Sequence, residues 1–348
     1  MDKEYDLVFV TNCPAFYKIN LFNAIAEKAR VLAIFIGVSK EVVIDKDFAQ
    51  QVCFDFIQVG NTAIETRNRL RVFGRLFKII CGLRYKYIIY DGYDMPEVVS
   101  MMFWTRKSKN CLICESSVFE SCLTGIKGRV KKVILNRISV GFPCGELQAR
   151  IFKTLGFKGE IRKTYGVGIF KKGKRPDEPK ELPVSFRYVF VGRLVPVKNI
   201  ELLIEVFNKN GKNLTIVGCG ILEKELRKKA NENILFTGFI PNEELYREYP
   251  KHDVFILPSS SETWGLVVEE AIYYGLPVIV SSVVGCLTEL VEEPETGIVF
   301  RNNDAEDLNR AILQMEQNYS FYKGNAEHFS FEKRDEQQVE AYVGLLNI

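Results

Sequence analysis

The sequence predicts an α/β protein of two domains, each built on a parallel β-sheet wrapped by helices. Short apolar runs of strand length alternate with amphipathic segments of helix length through the first half of the chain. A polar stretch at 171–183, rich in proline, lysine and glutamate, interrupts this alternation, which then restarts. The chain has 348 residues, which is enough for two domains of ordinary size.

In the first half, runs of four to six mostly apolar residues predict strands, and longer segments with helical periodicity predict helices. The predicted strands are 7–10, 31–36, 52–57, 87–90 and 111–114. The predicted helices are 20–29, 67–83, 96–104, 127–139 and 146–155.

The second half repeats the pattern, with strands at 187–191, 214–217, 234–236, 253–257 and 278–280. Its predicted helices are 199–208, 222–230, 265–274 and 331–346. We therefore expect a first domain over 1–170, a linker over 171–185 and a second domain over 186–328. A C-terminal helix within 329–348 could pack back on the first domain.

Composition indicates a soluble globular protein, with 47% apolar and 26% charged residues. Apolar runs are broken by charge before they reach the length of a membrane-spanning helix. The N-terminus is acidic and leads directly into a strand, so no signal peptide is expected. The nine cysteines are scattered and odd in number, which favours reduced thiols and a cytoplasmic location.

The net charge of +3 conceals an asymmetry between the two halves. Residues 1–180 contain 31 lysines and arginines against 18 acidic residues, whereas residues 181–348 contain 16 against 26. This division predicts that the first domain has an anionic partner that the second does not share.

The segment 251–300 is a strand–loop–helix–strand unit, so its loop lies where open α/β sheets bind ligands. Glu262 lies in that loop, and Glu270 lies two turns into the helix that follows. The backbone N–H groups of Thr263, Trp264, Gly265 and Leu266 form a predicted anion site at the helix N-terminus. The alternative is that Glu262 is an ordinary first-turn charge and that Glu269 and Glu270 are solvated.

The run PSSSETWGLVVEEA at 258–271, followed by GLPVIVS and VGC, resembles the donor-binding segment of glycosyltransferase family 4. The resemblance implies the GT-B fold, in which two Rossmann-like domains face a central cleft. It also implies a retaining glycosyltransferase that takes a nucleotide-diphosphate sugar, with UDP favoured, and transfers a hexosyl or N-acetylhexosaminyl group. In that family the residue matching Glu270 holds the donor ribose, and the residue matching Glu262 contacts the sugar. No metal or other cofactor is expected.

Three further segments of the second domain resemble the same family. Gly192, Arg193 and Lys198 match the site that holds the donor diphosphate and stabilises it as it departs, although such cations are usually solvated surface charges. Gly218 matches a second glycine turn, for which a plain turn is the alternative. Phe239 and Ile240 fall where the family contacts the nucleobase, and a core or turn role is equally consistent with the sequence.

In the first domain, NCPAFYKINLF at 12–22 resembles a Pro-x-Tyr-Arg motif found in one branch of the family. The resemblance places Tyr17 and Lys18 on the acceptor side, with packing as the alternative for Tyr17. Many members have a histidine after the strand at 111–114, but this chain has Glu115 there. We take Glu115 as a candidate catalytic substitute, with a simple turn residue as the alternative. Asp91 and Asp94 more often mark a turn than a metal site.

A basic amphipathic helix at 67–83, which contains Arg67, Arg69, Arg71 and Arg75, suits an anionic membrane surface. The alternative is an ordinary helix that buries one face and solvates the other. With no aromatic–basic recognition motif, nucleic acid is not an expected partner. We therefore predict peripheral attachment to the cytoplasmic face of a membrane and a glycan or lipid-linked acceptor. The rival functions are a non-catalytic sugar-nucleotide-binding module and a nucleotide-sugar epimerase.

Overall fold

The computed structural model describes residues 3–38, 48–175, 182–242 and 244–347. The chain divides into two compact units. Unit 1 consists of Met1–Lys171 and Glu332–Ile348, and unit 2 consists of Lys172–Phe331. Residues 176–181 of the predicted linker lie outside the described residues.

Unit 1 is built on a seven-stranded parallel sheet in the order β3-β2-β1-β4-β5-β6-β7. Its strands are β1 (Glu4–Thr11), β2 (Val31–Phe35), β3 (Asp55–Gln58), β4 (Arg84–Asp91), β5 (Asn110–Cys114), β6 (Val140–Pro143) and β7 (Glu160–Ile161). Its helices up to Lys171 are α1 (Phe16–Ala26), α2 (Phe48–Gln51), α3 (Arg69–Cys81), α4 (Pro96–Trp104), α5 (Gly125–Leu135) and α6 (Glu146–Thr154).

Both faces of this sheet are buried, as a parallel sheet requires. Successive side chains of β1 alternate between two apolar cores, so Val8 and Val10 join one cluster while Leu7 and Phe9 join the other. Helix α3 contributes Val72, Leu76 and Ile80 to the first cluster. The polar face of α3 remains outward, which agrees with the ordinary amphipathic helix.

Unit 2 is built on a six-stranded parallel sheet in the order β10-β9-β8-β11-β12-β13. Its strands are β8 (Arg187–Val191), β9 (Asn213–Val217), β10 (Ile234–Gly238), β11 (Val254–Leu257), β12 (Val278–Ser281) and β13 (Gly297–Phe300). Its helices are α7 (Ile200–Asn210), α8 (Glu223–Lys229), α9 (Leu245–Glu248), α10 (Leu266–Tyr273), α11 (Ala305–Gln317) and α12 (Tyr319–His328).

The last helix, α13 (Phe331–Val343), returns the chain to unit 1. The Tyr342 ring packs on Phe142 and on the edge of Phe9, with centroid distances of 4.6 and 5.4 Å. Val339 and Val343 join the same apolar cluster. The C-terminal helix is thus part of the core of unit 1.

Several elements were not predicted from the sequence: strands β6, β7 and β13 and helices α2, α9, α11 and α12. The predicted helix over 127–139 ends at Leu135, because residues 140–143 form a buried strand. Gly141 lies within that strand, and a Cβ there would lie 2.4 Å from the Phe152 ring. Glycine and proline are rare in strands, so composition did not indicate a strand here. Packing against Phe152 nevertheless requires a glycine at this position.

In the described part of the chain, no helix combines the length and apolar character needed to cross a membrane. All nine cysteines are free thiols.

Candidate functional site

In each sheet the strand order reverses at one point, between β1 and β4 in unit 1 and between β8 and β11 in unit 2. Ligands of open α/β sheets bind beside the carboxyl ends of the strands at such a point. The candidate residues of both units cluster at these two positions, so each cluster is described within its own unit.

Three glycines line the carboxyl ends of neighbouring strands in unit 2. The N–H of Gly192 donates to the Val217 carbonyl at 3.0 Å, and the N–H of Gly218 donates to the Gly238 carbonyl at 2.8 Å. A Cβ on Gly218 would lie 1.9 Å from the Gly192 carbonyl oxygen. The backbones therefore touch directly, and only glycine fits at position 218.

Lys198 and Glu262 form an ion pair across the β8–β11 switch point. Lys198 lies in a short 3₁₀ turn after β8, and Glu262 lies in the loop after β11. The Ser259 hydroxyl donates to the same Glu262 oxygen, Oε2, at 3.2 Å. The two residues predicted to face the donor are thus in direct contact.

Backbone hydrogen bonds fix the loop that carries Glu262. The Ser260 N–H donates to the Val197 carbonyl at 2.8 Å, which ties the loop to the turn that carries Lys198. On the other side, the Gly285 N–H donates to the Glu262 carbonyl at 3.0 Å. Lys198 and Glu262 are therefore positioned by main-chain contacts on both flanks of the loop.

The N-terminus of α10 agrees only in part with the predicted anion site. Gly265 precedes the helix with φ +107°, a conformation that side chains rarely adopt, and Leu266 begins it. Thr263 is exposed, whereas the Trp264 side chain is only 1% exposed and its indole N–H donates to Glu269. The Trp264 ring is a core anchor, so only its backbone remains a candidate for ligand contact.

The alternative that Glu269 and Glu270 are solvated is wrong for both. Glu269 is fully buried against Trp264. Glu270 is half-buried, and its Oε2 accepts a hydrogen bond of 2.9 Å from the hydroxyl of buried Tyr249. Burial raises the pKa of Glu270 to about 7; the Tyr249 hydrogen bond lowers it, and the charge of Glu269 adds to the rise.

The remaining predicted donor-side residues lie at the same edge of the sheet. Arg193 follows Gly192 after β8 and is exposed. Phe239 and Ile240 follow β10; Phe239 is 64% exposed, and Ile240 is half-buried. A core role is therefore wrong for Phe239, whose ring is available to a ligand.

Unit 1 has a buried charged cluster at the β1–β4 switch point. Lys18, on α1, is only 5% exposed, and its ammonium group contacts the carboxylates of Asp91 and Glu115, the latter at 3.1 Å. The Thr11 hydroxyl, at the end of β1, donates to the same Asp91 oxygen. One cation therefore serves two carboxylates, one from the end of β4 and one from just after β5.

The charges of this cluster shift one another's ionisation. Burial lowers the pKa of Lys18, but the charges of Asp91 and Glu115 outweigh it and hold that pKa well above its usual value. Burial raises the pKa of Glu115; the charge of Lys18 opposes that rise, and the charge of Asp91 adds to it. The two carboxylates therefore favour the charged form of Lys18.

Lys18, predicted to lie on the acceptor side, is buried, and its charge is already paired with two carboxylates inside unit 1. Its neighbour Tyr17 is half-buried, and the Tyr17 carbonyl accepts a hydrogen bond of 2.9 Å from Ile169. Asp91, interpreted as a turn residue, is instead the principal partner of Lys18. The sequence could have indicated this role for Asp91, because a carboxylate directly after a predicted apolar strand lies at the ligand-binding edge of a parallel sheet.

Two other residues were missed in unit 2. Ser259 supports Glu262, and Tyr249 supports Glu270. Ser259 lies in the serine run of the loop, so its position could have indicated it. Tyr249 lies 21 residues before its partner, and no local pattern connects the two.

Comparison with known proteins identifies unit 2 most clearly, because residues 174–332 match the family model described as "Glycosyl transferases group 1". A sulfoquinovosyl transferase of Arabidopsis thaliana is 37% identical over 123 residues, which are 34% of this chain and 24% of that protein. The O-antigen biosynthesis glycosyltransferase WbnH of Escherichia coli is 32% identical over 166 residues, 47% of each protein. The matched segments thus span less than two thirds of these relatives.

Solved structures match over almost the whole chain. The Anabaena protein Alr3699/HepE, solved with UDP and glucose, superposes with a TM-score of 0.69 at 16% identity. The match covers 99% of this chain and 98% of that one. The predicted likeness to family 4 glycosyltransferases is confirmed. Residues 174–332 are thus similar to the group 1 glycosyl transferases, and the two parallel-sheet units have the fold of GT-B glycosyltransferases.

Proposed function

We propose that the protein is a retaining glycosyltransferase that uses a nucleotide-diphosphate sugar, with UDP favoured. The acceptor is a hydroxyl of a glycan or lipid-linked carrier in the synthesis of cell-surface polysaccharide. The observation that carries this proposal is the Lys198–Glu262 pair, which a main-chain framework holds at the switch point of unit 2. In support, the relatives include an O-antigen biosynthesis glycosyltransferase, and a solved neighbour was captured with UDP.

Lys198 and Arg193 would bind the donor diphosphate. The glycosidic bond between the sugar C1 and the diphosphate oxygen breaks, and the diphosphate gains negative charge as it leaves. A fixed lysine and arginine stabilise that charge more in the transition state than in the ground state. Without donor, the Glu262 carboxylate pairs with the Lys198 ammonium group. With donor bound, that ammonium group would contact phosphate instead, and Glu262 would orient the sugar.

Glu270 would hold the donor ribose. Tyr249 engages one carboxylate oxygen and so fixes the rotamer, which leaves Oε1 to accept hydrogen bonds from vicinal hydroxyls. The nucleobase would lie near Phe239 and Ile240, and the diphosphate over Gly192 and Gly218. Every part of a nucleotide-diphosphate sugar thus has a chemically matched partner at this edge of unit 2.

In unit 1, Glu115 would accept a hydrogen bond from the acceptor hydroxyl, with Lys18 and Asp91 holding it in place. The acceptor oxygen bonds to C1 on the face that the diphosphate leaves, and the hydroxyl proton passes to the departing diphosphate. Configuration at C1 is therefore retained without a covalent enzyme intermediate. Neither metal nor organic cofactor is part of the proposal.

A panel of nucleotide sugars, assayed with and without simple glycan acceptors, tests the proposal. Transfer or slow donor hydrolysis by the wild type, lost in Glu262→Gln, is the expected outcome. Proton NMR of the product should show the anomeric configuration of the donor. Binding without turnover would indicate a non-catalytic module, and conversion of one nucleotide sugar into its epimer would indicate an epimerase.

A further inference from the structure

A buried hydrogen bond between Trp264 and Glu269 joins the loop after β11 to helix α10. The Trp264 indole N–H donates to the Glu269 carboxylate oxygen Oε1. Trp264 is 1% exposed, and Glu269 is fully buried. Trp264 follows Glu262 by two residues, and Glu269 immediately precedes Glu270. The bond therefore links the loop that carries one donor-side carboxylate to the helix that carries the other.

Gly265 forms a tight turn between this loop and the helix. Its φ of +107° lies in the left-handed region, and a Cβ there would lie 3.3 Å from both Val268 Cγ2 and Val284 Cγ1. Glycine restricts its own backbone less than any other residue, so contacts on either side of the turn have to set the direction of the loop. Two such contacts involve Trp264: its carbonyl accepts from the Cys286 N–H at 3.0 Å, and its indole donates to α10.

The chemistry of the Trp264–Glu269 pair goes beyond what core packing needs. A phenylalanine ring would fill most of the space of the indole without a polar atom. A buried indole N–H needs an acceptor, and the acceptor here is a carboxylate, whose removal from water is costly. A hydrogen bond is directional, whereas apolar packing is not. The pair therefore fixes the orientation of the loop more closely than an apolar contact would, at a cost in stability.

We propose that Trp264 and Glu269 are positioning residues for sugar transfer, because their hydrogen bond holds the loop so that Glu262 meets the donor sugar. This inference rests on the proposed function. Contacts to the rest of the donor depend on other parts of unit 2, since Lys198 lies in the turn after β8 and Tyr249 holds Glu270. Loss of the bond should therefore lower kcat and leave the affinity for the nucleotide unchanged.

Single substitutions at each partner measure the effect of the bond. Trp264→Phe removes the donor but keeps an aromatic ring, and Glu269→Leu removes the acceptor. Each should lower kcat about ten- to a hundredfold, as small displacements of reacting groups do, while the dissociation constant for UDP changes by less than about threefold. UDP is the suitable probe because it has no sugar for Glu262 to orient. The assays run at pH 8, above the pKa of about 7 to which burial raises Glu270.

Glu269→Gln provides the rescue, because the Gln carbonyl still accepts the indole N–H. It should return kcat to within about threefold of the wild type. Equal losses of kcat in Glu269→Gln and Glu269→Leu would overturn the proposal, because the hydrogen bond would then not be what the reaction needs. A loss of UDP affinity that parallels the loss of kcat would overturn it as well.

A double variant, Trp264→Phe with Glu269→Leu, separates positioning from stability. Each single variant removes one end of a buried hydrogen bond and should unfold at a lower temperature than the wild type. The double variant removes both ends, so its unfolding temperature should recover towards that of the wild type. Its kcat should remain as low as in the single variants, because the bond is still absent. Recovery of kcat together with the unfolding temperature would assign the pair to core packing alone.

Trp104→Phe is the matched control, since the chain has two tryptophans and Trp104 is exposed on α4 of unit 1. It makes the same chemical change and should leave kcat, UDP affinity and unfolding temperature as in the wild type. Wild-type transfer that persists in every Trp264 and Glu269 variant would overturn this inference alone. A wild-type protein that transfers no sugar from any nucleotide sugar would refute the proposed function, and this inference with it.

Discussion

Both units place a lysine against a carboxylate where the strand order of a parallel sheet reverses, but the two clusters differ in burial and in charge balance. In unit 2, Lys198 meets the single carboxylate of Glu262, and both side chains retain about 15% exposure. In unit 1, Lys18 is buried and shared between Asp91 and Glu115. The first arrangement can release its cation to an incoming anion, whereas the second has a surplus of negative charge and no cation to spare.

Under the proposed function, this difference suits the same position in two similar sheets to opposite chemistry. A site for a diphosphate needs a cation that the protein binds loosely, which describes Lys198. A site that accepts a hydrogen bond from a hydroxyl needs a carboxylate that is fixed but not fully neutralised, which describes Glu115. On this proposal, the fold supplies the position, and the ratio of cations to carboxylates distinguishes the two sites.

The largest expected effect tests whether Lys18 is mainly structural. Lys18→Met leaves two carboxylates without their cation inside unit 1, so we expect the free energy of unfolding to fall by about 3–5 kcal/mol. Lys198→Met should cost less, because Glu262 loses its charged partner but keeps the Ser259 hydrogen bond and some contact with solvent. Urea unfolding of both variants measures the contrast, and equal losses would refute it.

The second prediction concerns donor affinity. Here the larger effect is expected for Lys198→Met, whereas for stability it is expected for Lys18→Met. Lys198→Met removes a charge-assisted contact to phosphate, and we expect affinity for a UDP-sugar to fall about ten- to a hundredfold. Arg193→Ala should lower affinity by a similar factor. Calorimetric titration provides the measurement, with Lys209→Met, which changes an exposed lysine of α7, as the control.

A donor affinity unchanged in both Lys198→Met and Arg193→Ala would contradict the donor site. Loss of affinity in Lys209→Met as well would indicate a general electrostatic effect rather than a specific contact.

The sequence predicted unit 2 better than unit 1, for physical reasons. Residues on one loop–helix segment, such as Glu262, Gly265 and Glu270, keep a fixed spacing that sequence reveals. The cluster in unit 1 joins α1, β4 and β5, and only the sheet order brings Lys18, Asp91 and Glu115 together. The burial of Trp264 was likewise invisible, because an indole beside an apparent anion site resembles a ligand contact until its partner Glu269 is known.

The third prediction uses the pKa of Glu270, which burial raises to about 7. Only the ionised carboxylate accepts hydrogen bonds from both ribose hydroxyls, so protonation competes with donor binding. Above pH 7 the affinity should be constant, and below it the dissociation constant should rise by up to tenfold per pH unit. Titration with a UDP-sugar between pH 5.5 and 8.5 is suitable, since its diphosphate stays ionised throughout.

The control for this pH dependence is Glu270→Gln, which fixes a neutral side chain while still accepting the Tyr249 hydrogen bond. It should bind weakly, with an affinity that does not vary with pH. A wild-type affinity that is flat from pH 5.5 to 8.5 would contradict the role of Glu270.

The smallest expected effect is that of metal removal, which we predict to leave transfer unchanged. In unit 2 the cations Lys198 and Arg193 supply the positive charge that a diphosphate needs as it departs. In unit 1 the Asp91 oxygen Oδ2 already contacts the Lys18 ammonium group and the Thr11 hydroxyl. In the described residues, no group of three or more His, Cys, Asp or Glu side chains is placed to hold a metal ion.

Initial rates after dialysis against EDTA, with and without added Mg²⁺ or Mn²⁺, are the measurement. Activity abolished by EDTA and restored by either ion would show that Lys198 and Arg193 are insufficient to stabilise the departing diphosphate. The comparison of charges between the two units would then have to include a metal ion.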